Sequence, residues 1–274
     1  MTSEIELKLA IAEKDVWRLL RLPLLVTVTQ KKPPSQRLIN TYYDTADYRL
    51  RELGIAIRLR QVGGKWLQTI KTEGRVIAGL HERPEWETPT TVNTFDFSQL
   101  QDTKLKSLLE NTLEGEPLQP AFTTDFTRIK RILRFDDGTE CEFALDRGKI
   151  IASGKEQRIS EIELEIVAGD ARRLFEFSKG LMEHIPLRLM HESKAARGFA
   201  LSLGALSKPT KAKQAALDKQ MSARQGFVAI AGGCLQQMTA NEAGCALGED
   251  SEYLHQMRVA IRRLRTTIRL FSDF

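Results

Sequence analysis

The sequence predicts an α+β protein: an eight-stranded antiparallel β-barrel or sandwich with a few surrounding helices, followed by a C-terminal α-helical segment. Three observations carry this expectation. Eight short segments alternate apolar and polar residues, the period of a half-buried strand. Only a few stretches between them show the 3.6-residue period of a helix. Past Gly204 the alternation stops and helical periodicity replaces it.

Taken in order, strands are expected at Glu4–Leu9, Leu38–Tyr43, Ile55–Arg60, Trp66–Lys71, Arg83–Glu87, Arg128–Leu133, Glu140–Asp146 and Ser160–Ile166. Gly63-Gly64 and Asp136-Asp137-Gly138 punctuate them as turns. Helices are expected at Asp15–Leu22, around Phe97–Leu113, at Asp170–His184 with Asp170 as N-cap, and at Glu192–Leu203. The stretch from Gly204 to Lys213 is small, polar and basic around Pro209, the composition of a linker. Two further helices are expected from about Leu217 to Met238 and from Ser251 to Ser272. The expected division is therefore a strand-rich domain at 1–203, a linker at 204–216 and a partial helical domain at 217–274. The helical pattern is still running at Phe274, so this second domain is expected to be cut short.

Composition limits the function classes. The chain has 274 residues, 42% hydrophobic and 28% charged, with a formal net charge of +5. No apolar run reaches the roughly 18–20 residues of a membrane helix, and the acidic start MTSEIELKLA does not resemble a signal peptide. Three cysteines without a CxxC pair argue against a disulfide framework or a structural zinc site, and a cytoplasmic location is expected. From Gly204 onward there are 10 basic and 6 acidic residues, which leaves 31 and 30 in the first 203. A barrel so balanced is not a nucleic-acid binder by bulk charge, and no specific nucleic-acid partner is expected.

The arrangement of charge is more informative. Strand side chains alternate faces. Glu4, Glu6 and Lys8 share one face; so do Arg58 with Arg60, Thr69 with Lys71, Arg83 with Glu85 and Glu87, Arg128 with Lys130, Glu140 with Glu142 and Asp146, and Glu161 with Glu163 and Glu165. Alternation alone describes a sheet with its charges in water. Rows sorted by sign on seven strands point instead to a closed barrel with charged faces inward. Arginine and lysine rows match polyphosphate oxygens. Carboxylate rows hold Mg²⁺ or Mn²⁺, hard cations that also bridge to phosphate. The combination implies a metal–triphosphate ligand.

Glu4-x-Glu6-x-Lys8 resembles the ExExK signature of CYTH domains, the triphosphate tunnel metalloenzymes. The resemblance extends through Tyr42-Tyr43-Asp44-Thr45, Ile57-Arg58-Leu59-Arg60, Thr69-x-Lys71, Arg83-x-Glu85-x-Glu87, Arg128-x-Lys130, Asp146-x-Gly148, Glu161-x-Glu163-x-Glu165 and Ser193-Lys194-Ala195-Ala196-Arg197-Gly198. It implies an eight-stranded tunnel that processes triphosphates with divalent metal. Carried over by residue, it implies that Lys8, Arg58, Arg60, Lys71, Arg128, Lys130 and Lys194 grip phosphate. It makes Glu4, Glu6, Asp146, Glu161, Glu163 and Glu165 metal ligands, with Glu85 and Glu87 as further candidates. Glu4, Glu6, Lys8 and Lys71 are the catalytic set it implies, and Arg83 and Arg197 their structural partners.

In the last helix His255, Arg258, Arg262, Arg265 and Arg269 recur at spacings of three and four as one basic stripe. The run from Leu254 to Arg265 resembles the opening of a CHAD domain, a helical family associated with polyphosphate. The expected function is metal-dependent hydrolysis of inorganic triphosphate to pyrophosphate and phosphate. An adenylate cyclase, a thiamine triphosphatase or a non-catalytic polyphosphate-binding module are the alternatives. The four histidines fall in no metal-ligand or triad spacing, so Ser-His chemistry is not expected.

Overall fold

The computed structural model describes residues 2–77, 80–92, 94–204, 208–248 and 250–273. The chain divides into two compact units, one of Met1–Arg75 with His81–Gly204 and one of Val76–Leu80 with Ala205–Phe274. Residues 205–207 of the expected linker lie outside the described residues.

The first unit is built on eight long strands: β1 (Thr2–Ile11), β2 (Gln36–Asp44), β3 (Ala56–Val62), β4 (Lys65–Lys71), β5 (Leu80–Thr90), β6 (Gln119–Arg134), β7 (Glu140–Ala152) and β8 (Lys155–Ala168). Their order is β1-β8-β7-β6-β2-β3-β4-β5, and pairing of β5 with β1 closes the antiparallel barrel. Closure removes the exposed edges that an open sheet would present. The barrel reading of the sequence holds and the sandwich does not.

The outward faces are apolar and covered. Ile57 and Ile70 pack with Leu50, Leu105 and Leu109 of α3 (Arg49–Glu52) and α4 (Thr103–Leu113), and Trp86 packs against this cluster. The α4 helix starts at Thr103, later than Phe97, because the Asp102 carboxylate caps it by accepting the Lys104 and Leu105 N–H groups. The expected helix at Asp15–Leu22 is observed as α1 (Val16–Leu20), and a second helix not expected from the sequence, α2 (Pro23–Val28), follows it. Pro23 opens the second and forces Leu22 into an extended conformation, ψ 124°, as a residue before proline requires. Arg131 has the outward parity but is not at the surface. It is buried and donates to the Leu20 carbonyl at 2.7 Å. The α5 helix (Arg172–Met182) buries Leu174, Phe177 and Leu181. Ala171 occupies its N-cap; Asp170 still accepts the Arg172 N–H at 2.9 Å.

One end of the barrel interior is apolar. Leu38, Tyr42, Phe126, Ile150 and Ile159 have the parity of the charged inner faces, yet they form a cluster with Phe199 of α6 (Lys194–Leu203). Two glycines permit this filling. Gly148 stands opposite Phe126 and Ile159, where a Cβ would come within 2.2 Å of the Asp125 carbonyl oxygen. Gly198 lies flat on the Phe122 ring, 2.0 Å from where its Cβ would be. Ser193 caps α6 through the Ala196 N–H, which fixes where the helix starts and presents Lys194 in its first turn.

The second unit contains α7 (Ala223–Ala240), α8 (Glu242–Leu247) and α9 (Ser251–Leu270). Ser222 and Gln225 form a capping box on α7, and Asp250 caps α9. Buried Gln237 donates to the Gln256 side chain, joining α7 to α9. The expected linker is not free where it is described: Asn241 bonds Thr210 in both directions and Arg263 donates to the Lys213 carbonyl. Its backbone is strapped to the helical unit because polar side chains there need partners when buried.

Candidate functional site

The inner faces of the barrel enclose a cavity of about 410 Å³. Glu4, Glu6, Lys8, Arg58, Arg60, Lys71, Arg83, Glu85, Glu87, Arg128, Lys130, Glu163, Glu165 and Lys194 line it. Tyr42 and Phe126 belong to both the lining and the apolar cluster around α6, so the cavity ends against that plug. Side-chain exposure rises from 0% at Asp146 and Glu161 to 33% at Lys130 and 37% at Glu87.

Near the plug, positive and negative groups are matched. Arg128 forks onto Asp146 at 2.7 and 2.6 Å and reaches Glu163 at 2.5 Å. The Lys194 ammonium lies 2.6 Å from Asp146, 2.5 Å from Glu161 and 3.0 Å from Glu163. Arg197 pairs with the other Glu161 oxygen. Lys8 binds Glu6 at 2.8 Å and Glu163 at 2.5 Å. Burial would raise the Asp146 and Glu163 carboxyls, but these cations hold Asp146 below and Glu163 well below the usual range. The Lys194 ammonium is raised for the same reason, its three carboxylates outweighing burial.

This network includes part of the expected ligand set. Asp146, Glu161 and Glu163 place oxygens within 4.8 Å of one another, the spacing of a metal site, but the Lys194 ammonium already stands among all three. Asp146 and Glu161 are off the cavity wall and fully buried. They hold Lys194 and its neighbours in place. Lys194, which donates to Glu161 and Glu163 and stands 2.6 Å from Asp146, also lines the cavity. Arg197 anchors Glu161 rather than facing the lumen.

In two other places along the lumen like charges stand side by side. On one wall, Arg58 and Arg60 follow each other on β3, with only long ion pairs to Glu85 and Glu87 at 3.4 and 3.8 Å. Arg60 is bonded through Nε to Asn40 at 2.7 Å, and burial together with Arg58 and Arg128 pushes it down to about 10. Arg58 reaches Glu85 only at 3.4 Å and the Tyr42 hydroxyl at 3.5 Å. Its buried Nε has no hydrogen-bond partner. On the other wall, Glu6 stands directly across from Glu165, and Glu165 directly across from Glu142. Like charges directly opposite repel, and burial with Glu4, Glu142 and Glu6 pushes the Glu165 carboxyl up to about 7. Glu6 is paired with Lys8, Glu142 with Lys130 and Glu4 with Lys71, so the donor set is all oxygen with its crowding centred on Glu165, chemistry that fits a hard divalent ion. Lys71 sits between the walls, 2.5 Å from Glu4 and 3.1 Å from Glu85.

Glu142 joins the site although the sequence reading assigned it no role. Its signal was its parity with Asp146, and its neighbour is Lys130 at 2.8 Å. Tyr42, Asn40 and His81 were also missed, because nothing in their spacing marks them as charge-bearing partners. His255, Arg258 and Arg262 belong to the other unit, where they line a surface groove with Arg265 and Arg269 on α9.

A closed antiparallel tunnel whose interior carries ordered rows of both signs defines the class. The chain belongs to the CYTH domain family, which matches residues 2–199, and a CHAD domain matches residues 229–274. An inorganic triphosphatase from Haemophilus influenzae is 36% identical over 202 residues, 73% of this chain; the chain spans 55% of that protein's length. Two solved structures share the outline at low identity. A Hippeastrum protein described as an adenylyl cyclase candidate with a dominant triphosphatase activity is 20% identical, with 75% of this chain and 98% of that one covered and a TM-score of 0.48. A candidate adenylate cyclase from Bacillus halodurans is 18% identical, with 72% and 97% covered and a TM-score of 0.45. No helix among the described residues is long and apolar enough to cross a membrane.

Proposed function

We propose that the barrel is a metal-dependent inorganic triphosphatase, cleaving tripolyphosphate to pyrophosphate and phosphate. The observation that carries this reading is the opposed strain of its two walls. Burial, with Arg58 and Arg128 beside it, brings Arg60 down to about 10, and burial, with Glu4, Glu142 and Glu6 beside it, brings Glu165 up to about 7. A triphosphate against the first wall and a divalent cation against the second relieve both at once. The Haemophilus relative supports the substrate class.

Glu6, Glu165 and Glu4, with Glu142 beside them, are the residues that would hold Mg²⁺ or Mn²⁺. When bound, such an ion neutralises charge developing on the terminal phosphoryl group. Arg58, Arg60, Arg128 and Lys130 bind the anhydride oxygens; the fork of Arg58, with its free Nε, suits two oxygens of one phosphate. Lys8 holds Glu6 and Glu163 of the carboxylate wall together, and Lys71 joins Glu4 to Glu85. Water attacks the terminal phosphorus, the bond to the bridging oxygen breaks, and pyrophosphate leaves. No covalent enzyme intermediate is required. Three free cysteines fit a reducing cytoplasm.

The nucleotide and thiamine alternatives need an aromatic platform at the mouth. Trp86 is committed to the α4 cluster, and neither Trp66 nor Trp86 lines the cavity. The basic groove on α9 is the part of this chain suited to polyphosphate without turnover. Phosphate release from tripolyphosphate, ATP and thiamine triphosphate, with and without Mg²⁺, separates the readings. Release from tripolyphosphate that depends on Mg²⁺ is expected. Tight binding with release from none of the three would leave the binding module.

A further inference from the structure

Arg83 lines the cavity from the inner face of β5, and its Nη2 stands 4.0 Å from Glu6 Oε1. The other oxygen of Glu6 is already held by Lys8 at 2.8 Å. What restrains the guanidinium lies two residues back on the same strand face. Arg83 Nη2 donates a 2.7 Å hydrogen bond to Nδ1 of His81. A guanidinium can only donate, so Nδ1 is the acceptor and the neutral ring carries its proton on Nε2. That Nε2–H donates to the Met190 carbonyl at 3.2 Å, and the Met190 N–H donates to the Lys8 carbonyl at 2.8 Å. The ring, 1% exposed, is fixed at both ends.

We propose that His81 is a positioning residue that tethers Arg83 and so keeps Glu6 Oε1 open to a divalent cation. The inference rests on reading Glu6 as a cation ligand. At 4.0 Å the arginine and the carboxylate are too far apart for a hydrogen bond. Freed from the imidazole, the guanidinium closes that gap and forms a charge-assisted bond, occupying the oxygen the cation needs. Burial, with Lys8 and Arg83 nearby, pushes the imidazole down to about 4, so the acceptor nitrogen stays available through the neutral range.

The test is Mn²⁺ binding to the full chain without triphosphate, read by calorimetry and by the electron paramagnetic resonance of free Mn²⁺, with thermal melting as the fold control. His81→Leu keeps the volume but loses the acceptor, and its Mn²⁺ affinity is expected to fall by about tenfold, the usual effect of losing an outer partner. His81→Gln, which can accept from Arg83 and donate to Met190, is expected to stay near wild type. The double variant His81→Leu/Arg83→Met is expected to regain wild-type affinity, because the competing cation is gone. Unchanged affinity in His81→Leu overturns the proposal, and so does a double variant as weak as His81→Leu, since that would make the histidine a packing residue. If His81→Leu does not fold, Arg83→Met alone decides: it must bind Mn²⁺ as tightly as wild type or tighter, and weaker binding overturns the tether. Wild-type protein that binds no Mn²⁺ removes the cation reading of Glu6 itself and this inference with it.

Discussion

Glu6 and Glu165 stand directly opposite each other on β1 and β8, two carboxylates on the same inner face with a third, Glu142, next in the row. A fold does not gain stability from such a row, and each neighbouring pair is unfavourable. Its cost is explained if a cation occupies the row in the working protein.

Removing one member should therefore separate stability from function. Glu165→Gln is expected to stabilise the metal-free protein at pH 8 by about 1–2 kcal/mol, allowing for the partial exposure of Glu165. The sign follows from its carboxyl being raised from 4.5 to about 7. The folded state holds the proton more tightly than the unfolded chain, so stability falls as pH rises from 4.5 through 7. Thermal melting against pH checks this: the wild-type decline across that window should flatten in the variant, while its Mg²⁺-dependent activity is lost.

Lys194 should behave in the opposite way. Lys194→Met leaves Asp146, Glu161 and Glu163 facing one another with their shared ammonium gone. Breaking a buried pair of this kind costs about 3–5 kcal/mol. Adding Glu161→Gln is expected to recover part of the loss, measured by urea denaturation. A Lys194→Met protein as stable as wild type would show that the network near the plug is not what holds α6 in the barrel.

Arg58 and Arg131 test which face of a strand matters. Arg58→Ala is expected to lower kcat/KM by roughly 100-fold or more, the scale of losing a preorganised contact to developing charge. Arg131→Ala should leave kcat/KM of the folded enzyme near wild type but lower the melting temperature, because its bond to the Leu20 carbonyl is lost. Steady-state kinetics and melting on both variants settle the pair.

Truncation after Gly204 should preserve triphosphate hydrolysis. Every residue lining the cavity lies before that point, and the described segment that follows bonds to Asn241 and Arg263 of the helical unit. Activity of the truncated protein on tripolyphosphate, compared with the full chain, is the measurement. A folded but inactive fragment would place part of the site in the helices.

Parity made much of the barrel readable in the sequence. Once Glu4, Arg58 and Glu163 were placed on inward faces, closure followed from charge alone, and the eight strands fell near their observed positions. What parity could not give was the pairing of charges. Asp146 and Glu161 entered the expected ligand set through the family resemblance; a strand pattern shows which face a carboxylate occupies, not which cation reaches it from a helix later in the chain. Lys194 is that cation. Nor does alternation distinguish a charged inner face from the apolar continuation at Leu38, Phe126 and Ile159, which are inward residues that meet Phe199. Glu142 was visible on its face yet lay outside the motifs that drew attention, and the short helix that Pro23 opens was not expected.

The most direct test is a crystal soaked with tripolyphosphate and Mn²⁺, with the ion located by its anomalous scattering. The account predicts an Mn²⁺ peak within bonding distance of Glu6 and Glu165, and phosphate density against Arg58 and Arg60. A peak among Asp146, Glu161 and Glu163 with Lys194 displaced, or no ordered ligand inside the barrel, would contradict it.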